Sequence, residues 1–329
     1  MSSDGGPTLD RRTFDLLRLV DANEPIGSIR LVELLQQRGY SIKDRTVRLT
    51  LSELDEAGLT DKVPGKGRQL TAAGRAELER GDVSGRLAQV RERIATLQSR
   101  VSYDPADDAG DLVVAEAVVP DEQFGDALAD LRALEAAGMG PVVTAAEPIE
   151  GGYRLAFPSS VTLDGSLLVR GIRSELQTAG LVEYNPDAGA VTRYVDAISG
   201  EGSTMDVVRL LIEADRTGVD AVVEGETGLL IVDNREFPLT RYDETNGIAH
   251  ALRETLGGVL SISRPREDGP FPGEAPGWDF ASATYAGVGE LALSLLAERD
   301  RLQGWETLAG LRARSKLAPV ETVLEKHAD

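Results

Sequence analysis

Apolar residues in the first eighty positions recur three and four apart, the period of helices that bury one face. Phe14, Leu17 and Val20 mark such a helix over Arg11–Ala22, and Pro25 and Gly27 break it. Ser28 can cap a second helix carrying Leu31, Leu34 and Leu35, which Gly39 ends. Val47, Leu51 and Leu54 form the buried stripe of a third helix, about Asp44–Ala57, stopped by Gly58. On that helix Arg45, Leu49 and Ser52 fall on the opposite face and Arg48 on the flank. Leu59–Val63 and Arg68–Leu70 then enclose the turn Pro64-Gly65-Lys66-Gly67, a short hairpin with a basic tip. Thr71 caps a last helix, Ala72–Arg80.

Further along, Leu87, Val90, Ile94, Leu97 and Val101 continue at spacings of three and four, a two-heptad seam. That helix either contributes to a dimer or packs on its own domain. Beyond the Pro105–Gly110 loop the pattern repeats itself. The strand Leu112–Pro120, the helix Asp121–Ala137, the strand Pro141–Ala146 and Pro148 are echoed by Leu230–Pro238, Thr240–Leu256, Gly258–Ser263 and Pro265. Leu112, Val113, Val114 and Pro120 align with Leu230, Ile231, Val232 and Pro238. A later pattern, S-x-T-x-x-G, occurs at Ser160–Gly165 and again at Ser282–Gly287. Two similar β-α-β-rich halves, roughly 112–218 and 229–325, follow, with a helix at Thr204–Thr217 between them. The expected fold is therefore α+β with α/β character: a disordered tail (1–10), a winged helix-turn-helix (11–80), a linking helix (82–104) and a C-terminal α/β domain of two similar halves (110–325).

Charge sharpens this division. The 329 residues hold 35 Lys and Arg against 55 Asp and Glu, a net charge of −20. Residues 1–80 carry 13 of each sign, so the remainder carries the whole excess. Only five lysines occur, and Lys43, Lys62 and Lys66 fall in one short window of the neutral part. A locally basic segment on an otherwise anionic chain is the footprint of a nucleic-acid surface. An acidic, lysine-poor chain also suits the cytoplasm of a salt-loving organism, the alternative being an ordinary acidic bacterial protein. There is no cysteine, so disulfides and thiolate metal sites are excluded, and two histidines leave little imidazole chemistry. No run of residues is apolar enough to span a membrane, and the N-terminus lacks the pattern of a secretory signal. No cofactor and no metal are expected.

Three helices followed by a basic hairpin is the order of a winged helix-turn-helix, with the third helix in the major groove of double-stranded DNA and the wing along phosphates. Lys43, Arg45, Arg48, Leu49, Ser52, Lys66 and Arg68 are the candidate contacts. Arg45 or Arg48 could pair with guanine and Leu49 with a thymine methyl, unless Leu49 packs on a fourth helix. The alternative for the whole module is docking to protein or RNA. In the C-terminal domain a cleft between the halves suits a small molecule. Ser160, Thr162, Ser282 and Thr284 are candidate hydroxyl contacts, and Arg170 and Arg173 can hold a carboxylate. The alternatives are turn and cap duty for the hydroxyls and surface ion pairs for the arginines. An enzyme with an appended winged helix is a further reading. Against it, no nucleophile–base pair or metal cluster is evident, Asp164 and Asp279 stand alone, and His250 falls in a helix.

The runs Val47-Arg48, Leu51, Leu54-Asp55-Glu56-Ala57-Gly58-Leu59-Thr60 and Gly67-Arg68-Gln69-Leu70-Thr71 with Gly74 resemble the winged helix of the archaeal nitrogen-regulation repressors, the NrpR family. Ser160–Gly165 with Leu168 and Arg170-Gly171-Ile172, and Gly200 with Gly202-Ser203-Thr204-Met205-Asp206, resemble that family's regulatory domain. The resemblance covers about 11–315. It implies a repressor of nitrogen-assimilation genes that binds an inverted-repeat operator and is released by 2-oxoglutarate; a symmetric operator in turn needs a homodimer, for which the linking helix is one place. The chain departs from the family in having length for one regulatory domain, in Leu49-Thr50 on the third helix, and around Gly269–Gly289.

Overall fold

The computed structural model describes residues 11–37, 40, 42–81, 92–199, 207–265 and 279–327. The expected tail, Leu87 and Val90 of the heptad seam, and the Gly200–Asp206 motif lie outside them. The chain divides into two compact units between Arg86 and Leu87.

The first unit contains α1 (Arg11–Asp21), α2 (Ser28–Gln37), α3 (Asp44–Glu56), β1 (Thr60–Val63), β2 (Gly67–Leu70) and α4 (Ala72–Gly81). Leu17, Val20, Leu31, Leu35, Val47, Leu51 and Leu54 make its core with Ile26, Leu59 and Leu70. The wing is an antiparallel hairpin in which Val63 faces Gly67. Ile26 adds a bridge to Arg68. Gly67 is required there: its φ is +125°, and a Cβ would stand 2.1 Å from the Ile26 carbonyl oxygen. Asp55 ties the third helix to the wing. It accepts from the Thr60 hydroxyl at 2.6 Å and from Arg68 Nε at 3.1 Å.

The second unit starts with the described part of the linking helix, α5, residues 92–98. Its first half runs β3 (Asp111–Pro120), α6 (Phe124–Leu134), β4 (Val143–Ile149), β5 (Gly152–Pro158), α7 (Val161–Val169), β6 (Glu175–Asn185) and β7 (Ala190–Ser199). After α8 (Val207–Glu213) and α9 (Val219–Val223), the second half runs β8 (Gly228–Pro238), α10 (Tyr242–Leu256), β9 (Val259–Ser263), β10 (Phe280–Ala286), α11 (Val288–Glu298), β11 (Gly304–Ala313), β12 (Ala318–Pro319) and α12 (Val320–His327). Each half has the β-α-β-β-α-β order of a split β-α-β fold.

The halves are not separate bodies. One sheet has the order β11-β3-β5-β4-β12 and the other β7-β6-β8-β10-β9, all pairs antiparallel. After its third strand, each half crosses to the other half's sheet. So β6 pairs with β8, and β11 pairs with β3. The cores follow the exchange. One takes α6 from the first half and α11 from the second. The other takes α7 from the first half and α10 from the second.

The S-x-T-x-x-G echo does not mark equivalent places. Ser160–Gly165 forms the start of α7, whereas Ser282–Gly287 runs along β10 to the N-cap of α11. The equivalent junctions are Pro158–Val161 and Ala286–Val288, because the second half has the longer connection between its second and third strands.

The described part of the heptad seam packs within the unit. Leu97 and Val101 are buried and Ile94 packs against the same core. Arg93 Nη2 reaches Glu306 Oε1 at 2.6 Å. The described part of this helix thus packs on its own domain. Among the described residues no helix is long and apolar enough to cross a membrane.

Truncating Leu97 to Ala should destabilise the second unit by about 2–4 kcal/mol, the cost of a buried leucine and its cavity. Denaturant unfolding measures it, with oligomeric state followed by light scattering. A changed assembly with unchanged stability would mean that Leu97 works between chains.

Candidate functional site

The third helix presents the side chains that its period implied. Arg45 is exposed, and no carboxylate or other partner is found for it among the described residues. Lys43, at the N-cap, and Lys66, at the wing tip, are likewise exposed. Leu49 is 56% exposed, so it does not pack on α4. Ser52 lies half-buried on the same face. Arg48 is held back. Its Nη2 pairs with Asp44 Oδ2 at 2.8 Å and its Nε donates to Ser28 Oγ at 3.3 Å. Arg68 is committed to Asp55, with Nη2 at 3.0 Å from Oδ2 and only 17% of its side chain exposed. Of the seven candidates, Arg48 and Arg68 also fix α3 against α2 and the wing, Arg48 while staying exposed and Arg68 largely covered.

The effector candidates are scattered. Thr162 is buried; its hydroxyl donates to the Val113 carbonyl at 3.1 Å and accepts from the Val113 N–H at 3.2 Å. Ser282 and Thr284 both donate to Asn234 Oδ1 within the sheet. Arg170 and Arg173 lie at the surface with carboxylates of their own, Asp104 at 2.5 Å and Glu175 at 2.9 Å. Ser160 has a different setting, at the crossover of the two halves.

There, Ser160 Oγ donates to Asp233 Oδ2 at 2.6 Å and lies 3.1 Å from Glu290 Oε1. Glu290 Oε1 also accepts from the Ser160 N–H at 3.0 Å and from Ser159 Oγ at 2.9 Å. Glu290, in the first turn of α11, therefore caps the N-terminus of α7 across the junction. Gly287 makes the approach possible: a Cβ there would stand 2.8 Å from the Ser160 nitrogen. Beside this contact lies Arg235, whose side chain is 1% exposed. Its Nε sits 2.9 Å from Asp164 Oδ1 and its Nη2 3.7 Å from Asp233 Oδ2. Its Nη1 has no hydrogen-bond partner among the described residues.

Burial alone would lower the pKa of Arg235. Asp164, Asp233 and Glu290 more than offset that, so the guanidinium is held firmly charged. Burial, with Asp233 adding to it, pushes Glu290 up to about 7. Asp233, Arg235 and Glu290 were not singled out from the sequence. A signal existed: Ile231, Asp233, Arg235 and Phe237 fall on one face of β8, so two charges interrupt an apolar stripe. Three carboxylates around one guanidinium also make this seam anionic, a poor home for a further anion. Among the described residues, no group of three or more His, Asp or Glu is placed to hold a metal ion.

The raised Glu290 gives a signed prediction. The folded state binds the proton more tightly than the unfolded chain, so stability falls as pH rises from about 4.5 to about 7 and levels off above. Glu290→Gln should remove this component, on the order of 3 kcal/mol between pH 5 and pH 8. Urea unfolding of both proteins at the two pH values reads the difference. A pH-independent difference would place the proton elsewhere.

NrpR regulatory domains NRD1 and 2 match residues 87–271, more than half of the chain. The ribonuclease R winged-helix domain matches residues 16–78. The global nitrogen regulator NrpRI of Methanosarcina mazei is 29% identical over 267 residues, covering 78% of this chain and 82% of that protein. The global nitrogen regulator NrpR of Methanocaldococcus jannaschii is 29% identical over 232 residues, covering 70% of this chain but 41% of that protein. A crystal structure of a nitrogen repressor-like protein from Methanococcus jannaschii superposes with a TM-score of 0.56 at 20% identity, over 70% of this chain and 98% of that one. At that identity the likeness is one of fold alone. A single domain family spanning everything from the linking helix into the second half settles the affiliation: the chain belongs to the family of NrpR regulatory domains.

Proposed function

We propose that the protein is a DNA-binding transcriptional regulator, a repressor of nitrogen-assimilation genes whose grip on double-stranded DNA is weakened by a small carboxylate such as 2-oxoglutarate. The observation that carries this reading is the solvent face of α3. It displays Arg45 and Leu49, with Lys43 at its N-cap and Lys66 at the wing tip, and among the described residues these cations have no carboxylate partner in a protein of net charge −20. The family, and relatives described as global nitrogen regulators, support the regulatory assignment. A homodimer on an inverted-repeat operator follows from the symmetry that paired half-sites demand. The acidic, lysine-poor composition suits work in the cytoplasm of a salt-loving cell.

The effector reading centres on Arg170. Its carboxylate partner, Asp104, belongs to the connector that precedes β3. Arg241 lies alongside and donates from Nη2 to the Arg170 carbonyl at 3.1 Å. A dicarboxylate that takes Arg170, with Arg173 nearby in sequence, displaces Asp104 and frees the connector. Ser160, Thr162, Ser282 and Thr284 serve the frame behind it. By linkage, an effector that prefers the released connector lowers DNA affinity by the ratio of its affinities for the two states.

Fluorescence anisotropy with a promoter fragment at high KCl, with and without 2-oxoglutarate, tests both parts. Specific binding that weakens with effector is expected. No specific binding at any salt refutes the DNA reading, and an unchanged affinity refutes the effector. Arg45→Ala should cost roughly 1–3 kcal/mol on specific DNA if it pairs with a guanine. Lys66→Ala should weaken all duplexes alike and reduce the salt slope by about one. Equal effects on specific and random DNA would overturn these roles.

A further inference from the structure

Two aliphatic side chains stand out on the first unit. Ile29 is 67% exposed and Leu49 is 56% exposed, while the helices that carry them bury Leu31, Leu35, Val47 and Leu51. Neither belongs to the core stripe of its helix. They flank one polar stitch. Ser28, the first residue of α2, donates to Asp44 Oδ1 at 3.0 Å and accepts from Arg48 Nε at 3.3 Å. Arg48 in turn pairs with Asp44 at 2.8 Å. Ile29 follows Ser28 and Leu49 follows Arg48, so the stitch brings the start of α2 and the middle of α3 to one place. Arg45 precedes Leu49 by one helical turn on the same face, and Lys43 stands at the N-cap of α3.

Exposed apolar residues at a recognition helix that also carries Arg45 and, at its N-cap, Lys43 fit one partner chemistry. In the major groove the thymine C5-methyl is the apolar group presented to a protein, and the surrounding phosphates match the cations. A docking protein of ordinary apolar surface would leave Lys43 and Arg45 uncompensated. Arg48 commits its Nε–Nη2 edge to Ser28 and Asp44, which orients the guanidinium against the start of α2 while the side chain stays exposed.

We propose that Ile29 and Leu49 together form the specificity-determining surface of this reader, seated on thymine methyl groups of the operator, and that Arg48 is a positioning residue that sets α3 against α2. This rests on the DNA-binding reading above. It gives the reader a contact that survives in concentrated salt, where phosphate contacts fade.

The test uses the full chain and a duplex that it enriches from a randomised pool. Each thymine is replaced in turn by deoxyuridine, which removes only the methyl group. Affinity should fall roughly fourfold at one or two thymines per half-site, the factor expected for one buried methylene-sized group. Leu49→Ala and Ile29→Ala should each weaken binding and abolish the effect of deoxyuridine at the matching position. Their salt slopes should equal that of the wild type, and Leu49→Met should restore the methyl preference. Both positions are exposed, so thermal unfolding of the variants should match the parent. Purely additive effects of protein and DNA changes, or indifference to every methyl, overturn the proposal while leaving DNA binding intact. A pool with no enriched sequence overturns the DNA reading and this inference with it.

Discussion

Two chain segments, Pro158–Val161 and Ala286–Val288, pass each other so closely that Gly287 has no room for a side chain, because a Cβ would lie 2.8 Å from the Ser160 nitrogen. The strands that follow each junction within its half, β6 and β7 in one case and β11 and β12 in the other, lie in the other half's sheet. Neither half can bury its own apolar faces, since α7 completes one core with α10 and α11 completes the other with α6. The crossing is held by charge. Glu290 caps α7, and Ser160 bridges Glu290 and Asp233. Arg235 gathers Asp164 and Asp233. Such a cluster costs desolvation, and it offsets that cost by satisfying helix-end donors that would otherwise stand unpaired.

The connector before β3 is fastened to the same framework. Val101 lies against Gly165, whose missing Cβ leaves the space that the valine fills. The Ser166 hydroxyl donates to the Tyr103 carbonyl at 3.1 Å. The Tyr103 hydroxyl is bonded to Thr255 and Asp108. Thus α7 touches the charged crossing near its start and the connector further along. For the proposed regulator, this makes Arg170, at the C-terminal end of that helix, a place where a surface ion pair reports on the chain leading to the reader. Salt acts on the two units differently. Near molar ionic strength the Debye length falls to about 3 Å. The anionic second unit then repels a duplex only at close approach, and apolar and base-specific contacts carry more of the affinity.

Much of the first unit was legible because its determinants are local. Val47, Leu51 and Leu54 set the buried face of α3, and Pro64-Gly65-Lys66-Gly67 sets the wing. The duplication was legible through the aligned strands β3 and β8. The exchange of strands was not, since apolar periodicity states that a strand is buried and not which sheet receives it. Arg48 and Arg68 looked like free cations because their carboxylates lie one turn away on α3, as Asp44 does from Arg48, or on a different element, as Asp55 of α3 does from Arg68 of the wing. The S-x-T-x-x-G echo misled for a related reason: identical letters served a helix start in one half and a strand in the other. Buried charge on β8 was visible only as polar interruptions of an apolar face, a signal that gains meaning once the partner carboxylates are placed.

In the proposed regulator, duplex DNA is met by α3 and the wing. Hydrogen–deuterium exchange of the full chain, with and without a saturating specific duplex, tests this most directly. Added protection over residues 43–52 and 64–68, with the strands of the two large sheets kept free of direct footprint, is the predicted result. Protection centred on β7, β9 or β11, with none on α3 or the wing, would contradict it.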